Sequence, residues 1–110
     1  NYQKQTEFNP VHDHGGSYSF VVWMKIPTSN KEQRELPIAK ESLNGDSISN
    51  FAFLYTDLIG NVRSLSITME KETAGTMVIF PSRMKHQVYP FYECDEERVS
   101  VAGNFGVIYE

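Results

Sequence analysis

Hydrophobic and polar residues alternate along much of this chain, in short stretches separated by turn-forming residues. The alternation is clearest over residues 62–69, where Leu65, Ile67 and Met69 share one face, and it predicts a half-buried strand. Stretches rich in β-branched and aromatic residues predict further strands at residues 18–26, 36–39, 51–55, 76–80, 86–89 and 98–105. Glycine, proline and asparagine between these stretches predict tight turns. The pattern indicates an all-β chain.

Helical patterning is weak throughout the sequence. Only residues 31–35 have a helix-like composition, and no window carries the apolar stripe of an amphipathic helix. Several short strands without an internal repeat predict a sandwich, a barrel or a jelly roll. Residues 28–50 are polar and weakly patterned, so we expect them to form a loop excursion from a single domain that spans residues 1–110.

Charge and composition exclude several classes of partner. The chain has 110 residues, with 10 Lys and Arg against 14 Asp and Glu, so it offers little counter-charge to a nucleic-acid backbone. No apolar run comes near the roughly 20 residues that a membrane-spanning helix needs, and we expect no membrane partner. A single cysteine, Cys94, allows no internal disulfide, which fits a reducing compartment.

The histidines form a candidate metal-binding set. His12 and His14 are two positions apart, so on a strand both imidazoles would face the same side, and Asp13 would face the other. His86 is the remaining histidine of the three in the chain. The alternative interpretation is that residues 12–14 form a polar surface loop and that His86 is an ordinary core or surface histidine.

A candidate anion-binding residue lies on the last predicted strand, where Arg98, Ser100, Ala102 and Asn104 share a face. An inward-facing arginine on a strand of small residues needs an anionic partner, and a bound dicarboxylate would supply one. The alternative is that Arg98 pairs with the acidic run that precedes it, which consists of Glu93, Asp95, Glu96 and Glu97.

Four segments carry a family resemblance: HDH at residues 12–14, the Ser-containing strand that ends in KIP at residues 25–27, GTMVIFPSRMKHQVYP at residues 75–90 and ERVSVAGNF at residues 97–105. Together they resemble the iron- and 2-oxoglutarate-dependent oxygenases, and within these the prolyl-4-hydroxylase-like group of marine bacteria and cyanophages. The resemblance implies a double-stranded β-helix, which is a cupin-like jelly roll. It also implies Fe(II) as cofactor, 2-oxoglutarate as co-substrate and O2 as oxidant. The implied reaction hydroxylates a C–H bond of a small molecule or peptide, such as a peptidyl proline, and converts 2-oxoglutarate to succinate.

The resemblance also assigns roles to individual residues. His12 matches the first metal ligand, and His86 matches the distal histidine. Arg98 matches the arginine that binds the distal carboxylate of 2-oxoglutarate, with Ser100 beside it. For the middle ligand most relatives have Asp or Glu, whereas this chain offers His14 in that register and Asp13 one position away. Strand alternation favours His14, and the expected metal ligands are therefore His12, His14 and His86.

Two other function classes remain open at this point. One is a cupin-like protein that binds a metal or small ligand without oxygenase activity, and the other is a structural β-sandwich such as a virion component. Arg98 together with Ser100 favours the oxygenase, because neither alternative needs them. Relatives usually have helices before the first ligand, whereas only eleven residues precede His12 here, so we expect upstream elements to be missing. We expect the protein in the cytoplasm of a bacterium or of a phage-infected host.

Overall fold

The strands of this protein form two antiparallel sheets. The computed structural model describes residues 1–108. One sheet has the order β1-β8-β3-β6 and the other has the order β2-β7-β4-β5. The strands are β1 (Tyr2–Gln3), β2 (Asn9–His12), β3 (Tyr18–Lys25), β4 (Phe51–Thr56), β5 (Val62–Ile67), β6 (Met77–Pro81), β7 (His86–Val88) and β8 (Arg98–Phe105). This architecture confirms the predicted all-β, jelly-roll class.

The central strand of the first sheet is β3, which pairs with β6 on one side and β8 on the other. It forms where β-branched and aromatic residues predicted a strand, and its burial alternates, with Ser19, Val21 and Trp23 buried. β8 lies antiparallel to it, with Trp23 opposite Ser100 and Ser19 opposite Asn104. Because alternate residues of a strand share a face, these pairs line the inner side of the sheet.

The core lies between the sheets and is mainly aromatic. The rings of Phe51 and Phe53 from β4 are 5.0 Å apart, and Phe53 and Phe80 are also 5.0 Å apart, both edge to face. Such pairs stabilise a core beyond the area that they bury. The other buried members of this cluster are Val21, Trp23, Ile26 and Met69.

The predicted strand at residues 36–39 is wrong. This segment forms the short helix α2 (Pro37–Lys40), which follows α1 (Asn30–Gln33). Pro37 occupies the first turn of α2, where its fixed φ favours a helix and its missing N–H costs nothing. Among residues 1–108, no helix has the length and apolar character needed to cross a membrane.

The half-buried strand predicted at residues 62–69 is only partly correct. β5 forms as Val62–Ile67, but within the described residues it is an edge strand that pairs only with β4. Leu65 is therefore 54% exposed, whereas Met69, beyond the end of the strand, is 1% exposed and belongs to the core. The alternating pattern predicted the strand, and the position of β5 in the sheet decided its burial.

Buried amides hold residues 28–50 together and join them to the segment that follows β7. Asn30 donates from Nδ2 to the carbonyls of Asp46 and Ile48, at 2.9 and 2.8 Å. Gln33 donates to the carbonyl of Tyr92 and accepts from its N–H. This excursion is thus polar in sequence yet packed by side-chain-to-backbone hydrogen bonds.

Candidate metal centre and anion pocket

A cavity of about 190 Å³ opens between the inner faces of the two sheets. Its walls bring together every residue that the sequence singled out as a ligand. They are His12, His14, His86, Arg98 and Ser100. The second sheet supplies His12 and His86 from β2 and β7, and the first supplies Arg98 and Ser100 from β8.

The three histidines converge on one point of this cavity. One nitrogen from each ring lies within 4.8 Å of the nitrogens of the other two. His12 and His86 face each other directly, because β2 and β7 pair antiparallel with these residues in register. The cluster therefore offers three imidazole nitrogens to a single ion.

Backbone carbonyls orient two of the imidazoles. His12 Nδ1 lies 2.6 Å from the carbonyl oxygen of Pro10, and His86 Nδ1 lies 2.9 Å from that of Met84. A carbonyl only accepts hydrogen bonds, so each Nδ1 carries the proton and each Nε2 presents its lone pair. This is the tautomer that a metal ion requires for coordination through Nε2.

His14 belongs to the cluster although it lies beyond the end of β2, so strand alternation does not position it. β2 ends at His12, and the N–H of His14 donates to the carbonyl of Ser82 at 2.8 Å, beside the turn between β6 and β7. Its Nε2 lies 3.1 Å from Nε2 of His86. Two nitrogens bound to one ion at about 2.1 Å and at right angles would lie roughly 3.0 Å apart, so this pair has the spacing of neighbouring ligands.

Asp13 contacts Lys85 and is not part of the histidine cluster. Its carboxylate forms an ion pair with Lys85 at 2.8 Å, and the hydrogen bond from Lys85 lowers the pKa of Asp13 below its usual range. The group of ligand atoms contains His14 and does not contain Asp13.

Aromatic side chains form the wall behind His86. The ring of Phe51 stacks on the imidazole at 5.4 Å, and Phe80 meets it edge to face at 5.0 Å. His86 is only 3% exposed, and this desolvation lowers its pKa. The neutral imidazole, which is the form that binds a metal, is thus favoured.

Arg98 is a buried cation without a carboxylate partner among residues 1–108. It is 2% exposed, and burial lowers its pKa to about 10. Nη1 donates to Oε1 of Gln3 at 3.2 Å and Nη2 donates to the carbonyl of Ser49 at 2.6 Å, while Nε has no acceptor. The predicted alternative, a pair with the acidic run, does not form in the described residues, where Glu96 instead pairs with Lys25.

Further polar residues of the first sheet surround the cavity. Ser100 and Asn104 line it on the same face of β8 as Arg98. Ser19 donates to Oδ1 of Asn104 and lies 2.9 Å from the hydroxyl of the fully buried Ser82. This small network ties β3, β8 and the turn after β6 together next to His14.

Sequence reasoning missed Gln3 and the aromatic wall. Gln3 lies on β1, which has only two residues, too few for any periodic signal. Phe51 and Phe80 were predicted to lie on strands, but nothing in the local pattern linked them to His86, which follows them in the sequence by 35 and 6 residues. The contact of Phe51 depends on the pairing of β4 with β7, and that of Phe80 depends on the packing of one sheet against the other.

The residues of the cavity fit both groups that the family resemblance implies. Three nitrogen donors suit a divalent transition metal, and the unpartnered Nε of the buried Arg98 suits a carboxylate.

Comparison with known proteins agrees with the ligands that the cavity residues fit. No curated protein and no solved structure matches the chain significantly. The model of a family described as "Putative 2OG-Fe(II) oxygenase" matches residues 1–104, which include the whole cavity. The match supports the family as a whole, and it does not confirm the narrower resemblance to the prolyl-4-hydroxylase-like group of marine bacteria and cyanophages. This chain belongs to the 2OG-Fe(II) oxygenase family.

Proposed function

We propose that the protein is an Fe(II)- and 2-oxoglutarate-dependent dioxygenase that hydroxylates a C–H bond. One observation carries the proposal: a three-histidine cluster and a buried arginine, which has no counter-charge within residues 1–108, share one cavity. Buried charged groups are costly unless they gain partners of opposite charge, and the acceptors of Arg98 among residues 1–108 are neutral. A dicarboxylate would supply such a partner to Arg98, and a metal ion would bind the histidines.

In this proposal His12, His14 and His86 hold the metal ion. When bound, Fe(II) with 2-oxoglutarate and O2 supplies the oxidising chemistry, which yields succinate, CO2 and the hydroxylated substrate. Pro10 and Met84 keep two of the imidazoles in the coordinating tautomer through their carbonyls. The Phe51 and Phe80 rings keep His86 neutral and limit the access of water.

Arg98 binds the distal carboxylate of 2-oxoglutarate and sets its position in the cavity. A guanidinium that holds a carboxylate contributes about 1.5–3 kcal/mol through a charge-assisted hydrogen bond. This contact selects diacids over 2-oxo monoacids, which have no group to place there. Ser100, one inward position further along β8, lines the same part of the wall.

For the substrate we propose a peptide with a target proline, and for the location the cytoplasm of a bacterium or of a phage-infected host. The support for the peptidyl proline is the resemblance of residues 75–90 and 97–105 to prolyl-4-hydroxylase-like enzymes. The support for the location is the free thiol of Cys94, which is common in a reducing compartment.

A second candidate is a cupin-like metal-binding protein without oxygenase activity. The observation in its favour is the absence of a carboxylate from the ligand cluster of residues 1–108, because three neutral imidazoles suit Zn(II), Ni(II) or Cu(II) as well as iron. Arg98 has no role in this candidate.

Thermal denaturation under anaerobic conditions separates the two candidates. We expect Fe(II) or Mn(II) to raise Tm, 2-oxoglutarate to raise it further only when the metal is present, and 2-oxobutyrate to add nothing. His86→Ala should abolish both shifts, and Gln87→Ala, its neighbour on β7, should keep them. Metal-induced stabilisation with no response to 2-oxoglutarate, and no succinate on exposure to O2, would establish the metal-binding protein instead.

A further inference from the structure

The acceptor that Arg98 already holds in the cavity comes from the first strand. Gln3 of β1 lies opposite Arg98 in the β1–β8 pairing, and its Oε1 accepts from Nη1 at 3.2 Å. Gln3 is buried and lines the same cavity as the histidines. Its amide oxygen therefore stands where one oxygen of a bound carboxylate would be expected.

A second hydrogen bond fixes which end of the Gln3 amide faces Arg98. Nε2 of Gln3 donates to the carbonyl oxygen of Glu7 at 2.7 Å, so the oxygen is turned toward the guanidinium. This oxygen is neutral, and it satisfies one N–H of Arg98 without compensating its charge. A carboxylate oxygen is the stronger acceptor for the same donor.

The surroundings of the Arg98 guanidinium indicate that Gln3, rather than Arg98, moves when a carboxylate binds. Nη2 is held by the carbonyl of Ser49, and the guanidinium carbon lies 5.2 Å from the centre of the Phe91 ring. Arg98 is thus fixed on two sides, whereas Gln3 belongs to a two-residue strand at the edge of its sheet. Short edge strands have little hydrogen bonding to lose when they shift.

We propose that Gln3 is a specificity-determining residue of the dicarboxylate site, because its amide oxygen competes with the incoming carboxylate for Arg98. The carboxylate displaces Oε1 of Gln3 from Nη1. The measured affinity for the diacid therefore reflects the free energy of its contact with Arg98 minus that of the Gln3 contact that it replaces. This inference rests on the proposed function, since it assumes that Arg98 binds the distal carboxylate of the co-substrate.

Two substitutions of Gln3 should change the affinity for the diacid in opposite directions. Gln3→Glu places a carboxylate on Arg98 from within the chain, although it gives up the donor to the carbonyl of Glu7, so it should weaken the diacid by more than about tenfold. Gln3→Met keeps the length of the side chain but removes the acceptor, so it should lower Tm and strengthen the diacid by about threefold or more. If Gln3 had a merely structural role, Gln3→Met would lower both Tm and the affinity for the diacid.

Calorimetry with the Mn(II)-loaded protein tests these expectations, with 2-oxoglutarate as one probe and glutarate, which has no keto group to chelate the metal, as the other. Gln5→Glu is the matched control, because it adds the same charge near the strand but outside the cavity. We expect unchanged Mn(II) binding in all variants, and altered diacid binding only in the Gln3 variants.

The outcomes distinguish this inference from the proposed function. Wild-type protein that binds Mn(II) but neither diacid would overturn both. Wild-type binding of 2-oxoglutarate together with unchanged affinity in the Gln3 variants, or with weaker binding in both of them, would overturn only the role of Gln3. If Gln3→Glu fails to fold, Gln3→Met decides alone: tighter binding supports the inference, and equal or weaker binding overturns it.

Discussion

The Nε2 atoms of His14 and His86 lie 3.1 Å apart, although the two residues are 72 positions apart in the sequence. The carbonyl of Met84 holds the proton of His86 on Nδ1, so Nε2 of His86 presents a lone pair toward His14. A shared cation is one arrangement that satisfies both nitrogens, and it explains why the third histidine, His12, lies beside them.

His14 and Asp13 should respond differently to substitution. We expect Asp13→Ala to keep the metal and His14→Ala to lose it, because only His14 belongs to the cluster of ligand atoms. His14→Asp should restore metal binding, because two histidines and one carboxylate form the common ligand set of non-haem Fe(II) oxygenases. Metal content by mass spectrometry after anaerobic loading with Fe(II) is the measurement. Near-stoichiometric iron in His14→Ala, with none in Asp13→Ala, would reverse the assignment.

Substitution of Arg98 should separate metal binding from co-substrate binding. Arg98→Met should keep Mn(II) but weaken 2-oxoglutarate by about 1.5–3 kcal/mol, or roughly tenfold to a hundredfold. Arg98→Lys should recover only part of this loss, because an ammonium lacks the planar fork of the guanidinium. Calorimetry with 2-oxoglutarate gives the comparison, and equal affinity in wild type and Arg98→Met would exclude Arg98 from the anion site.

The buried amide of Asn30 should be important for stability. Asn30→Ala leaves the carbonyls of Asp46 and Ile48 without their side-chain donor, at a cost of about 1–3 kcal/mol in the free energy of unfolding. Asn44→Ala, in the same excursion but exposed, is the matched control and should change little. Denaturant unfolding followed by tryptophan fluorescence measures both. Equal stability of the two variants would mean that the excursion is not held through Asn30.

The turn between β4 and β5 should make stability depend on pH. The hydrogen bond from Arg63, followed by backbone donors of the turn, lowers the pKa of Asp57 below its usual 3.8. A lowered carboxyl pKa stabilises the fold fully above the unfolded value, and this stabilisation is lost as the pH falls through the lower folded value.

Asp57→Asn removes this dependence, so its deficit in Tm against wild type should be largest above about pH 5 and should shrink as the pH falls below 3.8. Arg63→Met removes the same ion pair and should reproduce the trend. Asp57→Ala also removes the acceptor for the N–H groups of Ile59 and Asn61, so it should be less stable than Asp57→Asn at every pH. A deficit for Asp57→Asn that stays constant between pH 7 and pH 3 would contradict the ion-pair explanation.

Burial of polar side chains is where interpretation of the sequence was least accurate. Residues 28–50 are polar, and a polar stretch without periodicity is typical of an exposed loop. Asn30, Gln33 and Asn50 are nevertheless buried, because each bonds to backbone groups that the strands leave unpaired. These backbone partners lie 18 to 59 residues away in the sequence, so no local pattern reveals them.

Local sequence determined most of the longer strands and, in β3 and β8, the faces that they present. Alternation along β3 and β8 follows from the two-residue period of extended backbone, so the shared face of Arg98, Ser100 and Asn104 was predictable. The three histidines and the arginine could also be selected from the sequence, because few residue types coordinate a metal or bind a carboxylate.

Tertiary structure alone decided what these residues contact. The register between β2 and β7 placed His12 beside His86, and a hydrogen bond to Ser82 turned His14 toward them. The β1–β8 pairing placed the Gln3 oxygen on Arg98. Such contacts depend on the pairing of strands that lie far apart in the chain, and pairing is set by the packing of the whole core rather than by any local stretch.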